Sequence, residues 1–178
     1  MKSIMLLAAS IAVMTACGQD KSKRPSPPAT AKETISSGAT ITINYSQPSV
    51  KGRTIGKDLE PKVGQVWRAG ANEATTFEVS KDVKVEGHAL PKGKYAFFTL
   101  WNADGTWTII FNKVLKDDKG KDTWGAFDYE KNKGQDALKV NVKPGKAPAM
   151  QEKLEYKIAK DGKVSLLWGD GETDFKVE

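Results

Sequence analysis

One cysteine, Cys17, and one histidine, His88, are all that this 178-residue chain holds of those two types. A single thiol closes no internal disulfide, and one residue of each kind cannot assemble a zinc site. A Ser-His-Asp triad would have to use His88, and no serine sits in a Gly-x-Ser-x-Gly elbow. Gly145-Lys146 and Gly162-Lys163 are without the upstream glycine and the following hydroxyl residue of a phosphate-binding loop. Neither a metal nor a cofactor is therefore expected. Arginine is also scarce: among 28 basic residues only Arg24, Arg53 and Arg68 carry a guanidinium. The net charge of +6 comes from lysines spread along the whole chain with Asp and Glu interleaved. Such a surface has no basic stripe, so nucleic-acid binding is not expected. The apolar run from Ile4 to Met14 is far short of the roughly 20 residues that a spanning helix needs.

What the chain does have begins at its start. Met1-Lys2-Ser3, the apolar run, and then Thr15-Ala16-Cys17 give a basic start, a short apolar core and small residues before a cut site. That order describes a secretory signal. It resembles a bacterial lipoprotein signal with Met14-Thr15-Ala16-Cys17 as the lipobox. The resemblance implies that Cys17 becomes the first mature residue and carries acyl chains that anchor the protein to a membrane. Several chains hold a protein firmly where one holds it marginally, because each buried methylene contributes about 0.8 kcal/mol. Gly18 stands where an aspartate would resemble an inner-membrane retention signal, so the outer membrane is the expected destination.

Residues 1–16 are read as this signal, residues 17–30 as the lipidated cysteine and a flexible tether, and residues 31–178 as one domain. The tether is Lys, Ser, Pro and Ala, with Pro25, Pro27 and Pro28. Such a composition favours an extended, unpacked spacer. Beyond it the apolar residues alternate with period two over residues 40–45, 75–79, 106–111, 138–142, 154–158 and 164–168. These runs are rich in β-branched and aromatic residues, as half-buried strands are. Ser37-Gly38, Glu86-Gly87, Ala103-Asp104-Gly105, Asp161-Gly162 and Asp170-Gly171 are expected as turns between them. The expectation is an all-β antiparallel sandwich, immunoglobulin-like or jelly-roll-like. Residues 96–101 are almost entirely apolar, which predicts a central strand covered on both faces. Leu90 to Tyr95 ahead of it resembles the tyrosine corner of immunoglobulin-like sandwiches, where a Tyr hydroxyl ties back to upstream backbone. Trp101, Trp107 and Trp168 are expected in the core or at its edges.

The segment from Tyr45 to Thr76 differs from the rest. It contains Tyr45-Ser46-x-Pro48-x-Val50-Lys51-Gly52-Arg53 and then Val66-Trp67-Arg68-x-Gly70-Ala71-Asn72-Glu73-Ala74-Thr75. These two runs closely resemble the domain-of-unknown-function family 2911. Leu90 to Tyr95, Trp107 to Asn112 and Trp124-Gly125 fit the same family. The resemblance implies a secreted or lipoprotein β-rich domain and no assigned activity.

Read physically, Tyr45, Arg53, Trp67, Arg68, Asn72, Glu73 and Thr75 form a candidate cluster. The small residues between Arg68 and Asn72 permit close backbone approach. Arg68 or Arg53 is expected to reach the Glu73 carboxylate and hold it. On one reading this unit pins an irregular loop. On the other it lines a mouth between the sheets and takes a small polar or glycan ligand. The acidic run from Asp117 to Asp122 is read as a solvated turn, since its lysines and the missing distal Glu argue against calcium. Residues 124–129 are aromatic enough to stack on a sugar. Three roles follow: a lipid-anchored, non-catalytic binding or interaction domain; a glycan hydrolase using carboxylates near Glu73, such as Glu73 with Asp128; or a structural envelope component. The separation of two carboxylates would decide the second.

Overall fold

The computed structural model describes residues 21–122 and 126–178. The signal, Cys17 and Trp124-Gly125 lie outside the described residues, and so do the side chains of residues 126 and 127. The alternating runs form strands: β1 (Pro28–Thr34), β2 (Thr40–Ser46), β3 (Val66–Trp67), β4 (Thr75–Val79), β5 (Val83–Val85), β6 (His88–Leu90), β7 (Gly93–Trp101), β8 (Trp107–Asn112), β9 (Asp136–Val142), β10 (Gly145–Ile158) and β11 (Lys163–Lys176). One short helix, α1 (Ala126–Asn132), interrupts them. The protein is an all-β antiparallel sandwich that does not close into a barrel.

The larger sheet has the order β1-β2-β4-β7-β8-β9. β3 pairs with β7 at Leu100 and Thr99, beyond the stretch that β4 occupies. The second layer is the long β10–β11 hairpin. β5 joins its far end through the Val85–Val177 bridge and the backbone bonds between Lys84 and Glu178. Residues 48–50 close the other edge, with Val50 N–H donating to Glu152 O and Leu154 N–H donating to Pro48 O.

β7 shows why the sheet has two packed faces. Its odd positions, Tyr95 and Phe97, point between the layers, where Phe97 stacks on Phe77 at 5.8 Å and on Phe175 at 5.9 Å. Its even positions, Ala96 and Phe98, point outward and are covered with Ile110 by Tyr129 of α1. A strand buried on both faces cannot afford alternation, hence the unbroken apolar run. The Tyr95 hydroxyl donates to Pro91 O at 2.7 Å, the upstream tie expected of a tyrosine corner.

Most turn signals behave as expected. Glu86 and Gly87 both have positive φ, as a two-residue primed turn requires. The turns ending at Gly38, Gly105 and Gly162 differ: in each the glycine alone takes positive φ, after a tight turn closed by its own N–H. Asp170-Gly171 is not a turn. Both residues lie inside β11, which runs on to Lys176. The irregularity belongs to the pairing, where five steps along β10, from Lys146 to Gln151, face two along β11. This bulge lifts residues 147–150 out of register at one end of the sandwich. The spacer also ends earlier than expected, because Pro28, Ala29 and Thr30 pair with β2.

Candidate functional site

The motif between Trp67 and Thr75 folds onto itself. Ala69 and Asn72 both adopt left-handed backbone, so the chain folds back sharply between β3 and β4. Trp67, which is 4% exposed, donates from Nε1 to Gly70 O at 3.1 Å. The Thr75 hydroxyl donates to Ala69 O at 2.9 Å, and the Tyr156 hydroxyl donates to the same oxygen at 2.8 Å. Tyr156 sits edge-on to Tyr45 at 4.7 Å, and its own N–H donates to the Tyr45 hydroxyl. Burial raises the pKa of both tyrosines, so both stay neutral and act as fixed donors and acceptors. Gly70 has no room for a side chain: a Cβ would lie 2.7 Å from Thr75 Oγ1 and 3.3 Å from Ser46 O. Every polar group in this account is turned inward, toward the loop it stabilises.

The Glu73 carboxylate is held from an unexpected side. Arg24 Nη1 donates to both of its oxygens, at 2.9 and 3.1 Å, and Lys21 Nζ stands 3.3 Å away. Arg24 belongs to the stretch read as tether, and neither Arg53 nor Arg68 makes this pair. The Asn72 side chain donates to Ser26 O at 2.9 Å, a second tie between the loop and the same stretch. Burial works against ionisation of Glu73, but the hydrogen bonds from Arg24 and Lys21 outweigh it and bring its pKa down to about 2. Arg68 lies half-buried behind the loop, where burial lowers its pKa and the Glu60 charge opposes that shift. Asp128 lies in the first turn of α1. His88 is exposed at the β5–β6 turn, and Asp117 caps its own loop by accepting from the N–H groups of Lys119 and Lys121.

A mouth between the sheets exists, and other residues line it. At the end of the sandwich where β10 bulges, the layers part into a cleft of about 600 Å³. Trp101 and Trp107, the residues flanking the β7–β8 turn, stack at 6.3 Å with 27° between their planes. Trp168 of β11 completes the aromatic lining, with Ile55, Pro61 and Met150 around it. Trp168 Nε1 donates to Glu60 O at 2.9 Å and so fastens the 50–61 loop over the cleft. Gly169 has positive φ and leaves the space that Ile55 fills: a Cβ there would come within 2.5 Å of Ile55 Cδ1. The polar rim is Arg53, Thr54 and Asp170, with Thr173 buried beneath it. Of the residues singled out from sequence, Arg53 alone lines this cleft. Its Nε donates to Val50 O at 3.1 Å and its Nη2 to Ser49 O at 2.8 Å, which fixes the fork and leaves its remaining N–H groups for a ligand. The tryptophans were expected in the core or at its edges, and so they lie: Trp107 and Trp168 are buried and Trp101 packs against them, but their part in a cleft was not legible. The signal that marks them is position: two of them flank a hairpin turn, beyond the phenylalanines that seal the interior.

The fold and the cleft define a class, an antiparallel β-sandwich with an aromatic mouth at one end. The family model described as "Protein of unknown function (DUF2911)" matches residues 26–177, and the chain belongs to that family. No curated protein and no solved structure matches the chain.

Proposed function

We propose that the protein is a lipid-anchored, non-catalytic binding domain of the bacterial cell envelope, and that the tryptophan cleft takes a saccharide. The observation that carries this reading is the cleft itself. Its volume lies within the range of small-molecule sites, and the partly exposed Trp101 ring stands over the buried Trp107 and Trp168 beside a few polar groups. An indole presents a flat apolar surface to the apolar face of a sugar ring, and Arg53, Thr54 and Asp170 would orient the hydroxyls. The hydrolase alternative draws no support from the same geometry. Asp170 is the sole carboxylate lining the cleft among the described residues. Glu73, with its pKa at about 2, is no proton donor near neutral pH. A purely structural role leaves the cleft under Trp101 without a use.

The test is titration of the mature chain with soluble cello-, chito- and malto-oligosaccharides and with muropeptides, followed by tryptophan fluorescence and calorimetry. A saturable change that is lost in Trp101→Ala, with the variant still folded, is the expected result. No saturable change with any of these sugars would sink the saccharide assignment. Anchoring is tested separately. Cys17→Ser should release soluble protein or leave an uncleaved precursor, and a variant that fractionates with membranes like the wild type would remove the anchor.

A further inference from the structure

The stretch before β1 does not hang free. Arg24 grips Glu73 through both carboxylate oxygens, Lys21 adds to the pair, Asn72 holds Ser26 O, and Pro27 O accepts from Gln47 N–H. The chain is therefore strapped to the domain from Lys21 onward, which changes the reach of the anchor. Four peptide links separate Cys17 from Lys21, and a chain of that length spans at most about 14 Å. A spacer free up to Thr30 would reach about 45 Å.

Around the strap lies a basin of about 310 Å³ on the outer face of the larger sheet. Lys21, Arg24, Lys94 and Lys116 line it, against Glu73 and Asp122. Glu73 is already matched by Arg24 and Lys21, and Asp122 by Lys116 at 2.8 Å. Lys94 faces Glu78 across the β4–β7 ladder, so the balance is a small positive excess, which anionic lipid attracts at about 1 kcal/mol per basic residue near it. Lys153 and Lys157 lie on the opposite, outer side of the β10–β11 layer.

We infer that the Arg24–Glu73 clasp lays this basic face on the anionic surface of the membrane that holds the anchor, with the β10–β11 layer facing away. This rests on the lipid-anchor reading, and the docked face can be judged apart from it. The experiment is lysine acetylation footprinting of the full mature chain on vesicles, read by mass spectrometry. The vesicles are phosphatidylcholine with roughly one-third phosphatidylglycerol, compared with phosphatidylcholine alone. The lipid is installed by coupling Cys17 to a maleimide lipid, so the result does not depend on natural acylation. The expected result is a several-fold fall in labelling at Lys21, Lys94 and Lys116 on anionic vesicles, with Lys153 and Lys157 unchanged. Glu73→Gln should restore labelling at Lys94 and Lys116, because opening the clasp lengthens the tether. Equal labelling of both lysine sets on vesicle-bound protein would overturn the docked face. Equal protection on neutral vesicles would overturn its electrostatic basis, and a Glu73→Gln footprint like that of the wild type would overturn the clasp. Absence of acyl mass on protein from cells would instead remove the natural anchor and leave the footprint to judge the face.

Discussion

The loop from Trp67 to Thr75 and the tryptophan cleft have opposite characters. The loop carries the densest sequence motif, yet its polar groups bond to its own backbone or to the strap: Trp67 to Gly70, Thr75 and Tyr156 to Ala69, and Glu73 to Arg24. The cleft carries no compact motif, yet it leaves part of the Trp101 ring and part of a guanidinium open. A run of unusual residues thus marks where the backbone is hard to fold, and that need not be where a ligand binds. Left-handed Ala69 and Asn72, beside a Gly70 with no space for a Cβ, demand a specific sequence. A cleft needs only large flat side chains at the right end of three strands.

The sharpest way to break this contrast is to make the same substitution in both regions. Trp67→Ala removes a buried indole and its bond to Gly70, and should cost about 3–5 kcal/mol, read by denaturant unfolding. Trp101→Ala removes a partly exposed ring, should cost about 1–2 kcal/mol, and should abolish saccharide binding. If Trp67→Ala spares the fold, or Trp101→Ala unfolds it, the two regions have been assigned the wrong way round. Gly70→Ala should cost about 1–3 kcal/mol by overpacking against Thr75 and leave the cleft's affinity unchanged in the folded fraction. A neutral result would mean that the loop has slack.

The Glu73 clasp sharpens the comparison through pH. Its folded pKa of about 2 lies below the ordinary 4.5, so its contribution is complete above pH 4.5 and is lost as pH falls through 4.5 toward 2. Partial exposure screens the pair, so the loss is about 1 kcal/mol. Glu33, Asp104, Asp117 and Asp161 are shifted in the same direction, so the slope to measure is the difference between wild type and Glu73→Gln. Unfolding curves of the two with the same acid dependence would show that the clasp stores nothing. The smallest effect on stability is expected from Arg53→Lys, about 0.5–1 kcal/mol for two bonds to the Ser49 and Val50 carbonyls. Its effect on saccharide affinity should be several-fold, since a lysine cannot reproduce the fork. Unchanged affinity would take Arg53 out of the site.

The strands were largely legible because their signal is local. Residues 75–79 alternate and form β4 with those bounds. The apolar run before Trp101 is central, and the glycines of the Gly38, Gly105 and Gly162 turns mark hairpins. Asp170-Gly171 misleads because the same pair that suits a turn also suits a bent strand opposite a bulge, and only the partner strand decides. Glu73 was legible as a residue needing a cation, since a carboxylate beside small residues has few other ways to be matched. Its partner was not legible, because Arg24 lies 49 residues upstream in a stretch whose composition reads as spacer.

By itself the sequence determined the class of fold, the hairpin turns and the membership of a family, because period-two burial and the backbone freedom of glycine act between near neighbours. Only the tertiary structure decided what those elements enclose. Trp101, Trp107 and Trp168 line one cleft because the second layer sets β11 against the β7–β8 end, with Met150 of the β10 bulge beside them. Arg24 becomes the clasp because β1 pairs with β2 and brings the upstream chain beside the motif loop. Both outcomes depend on packing between segments distant in the chain, and no local pattern of residues carries that information.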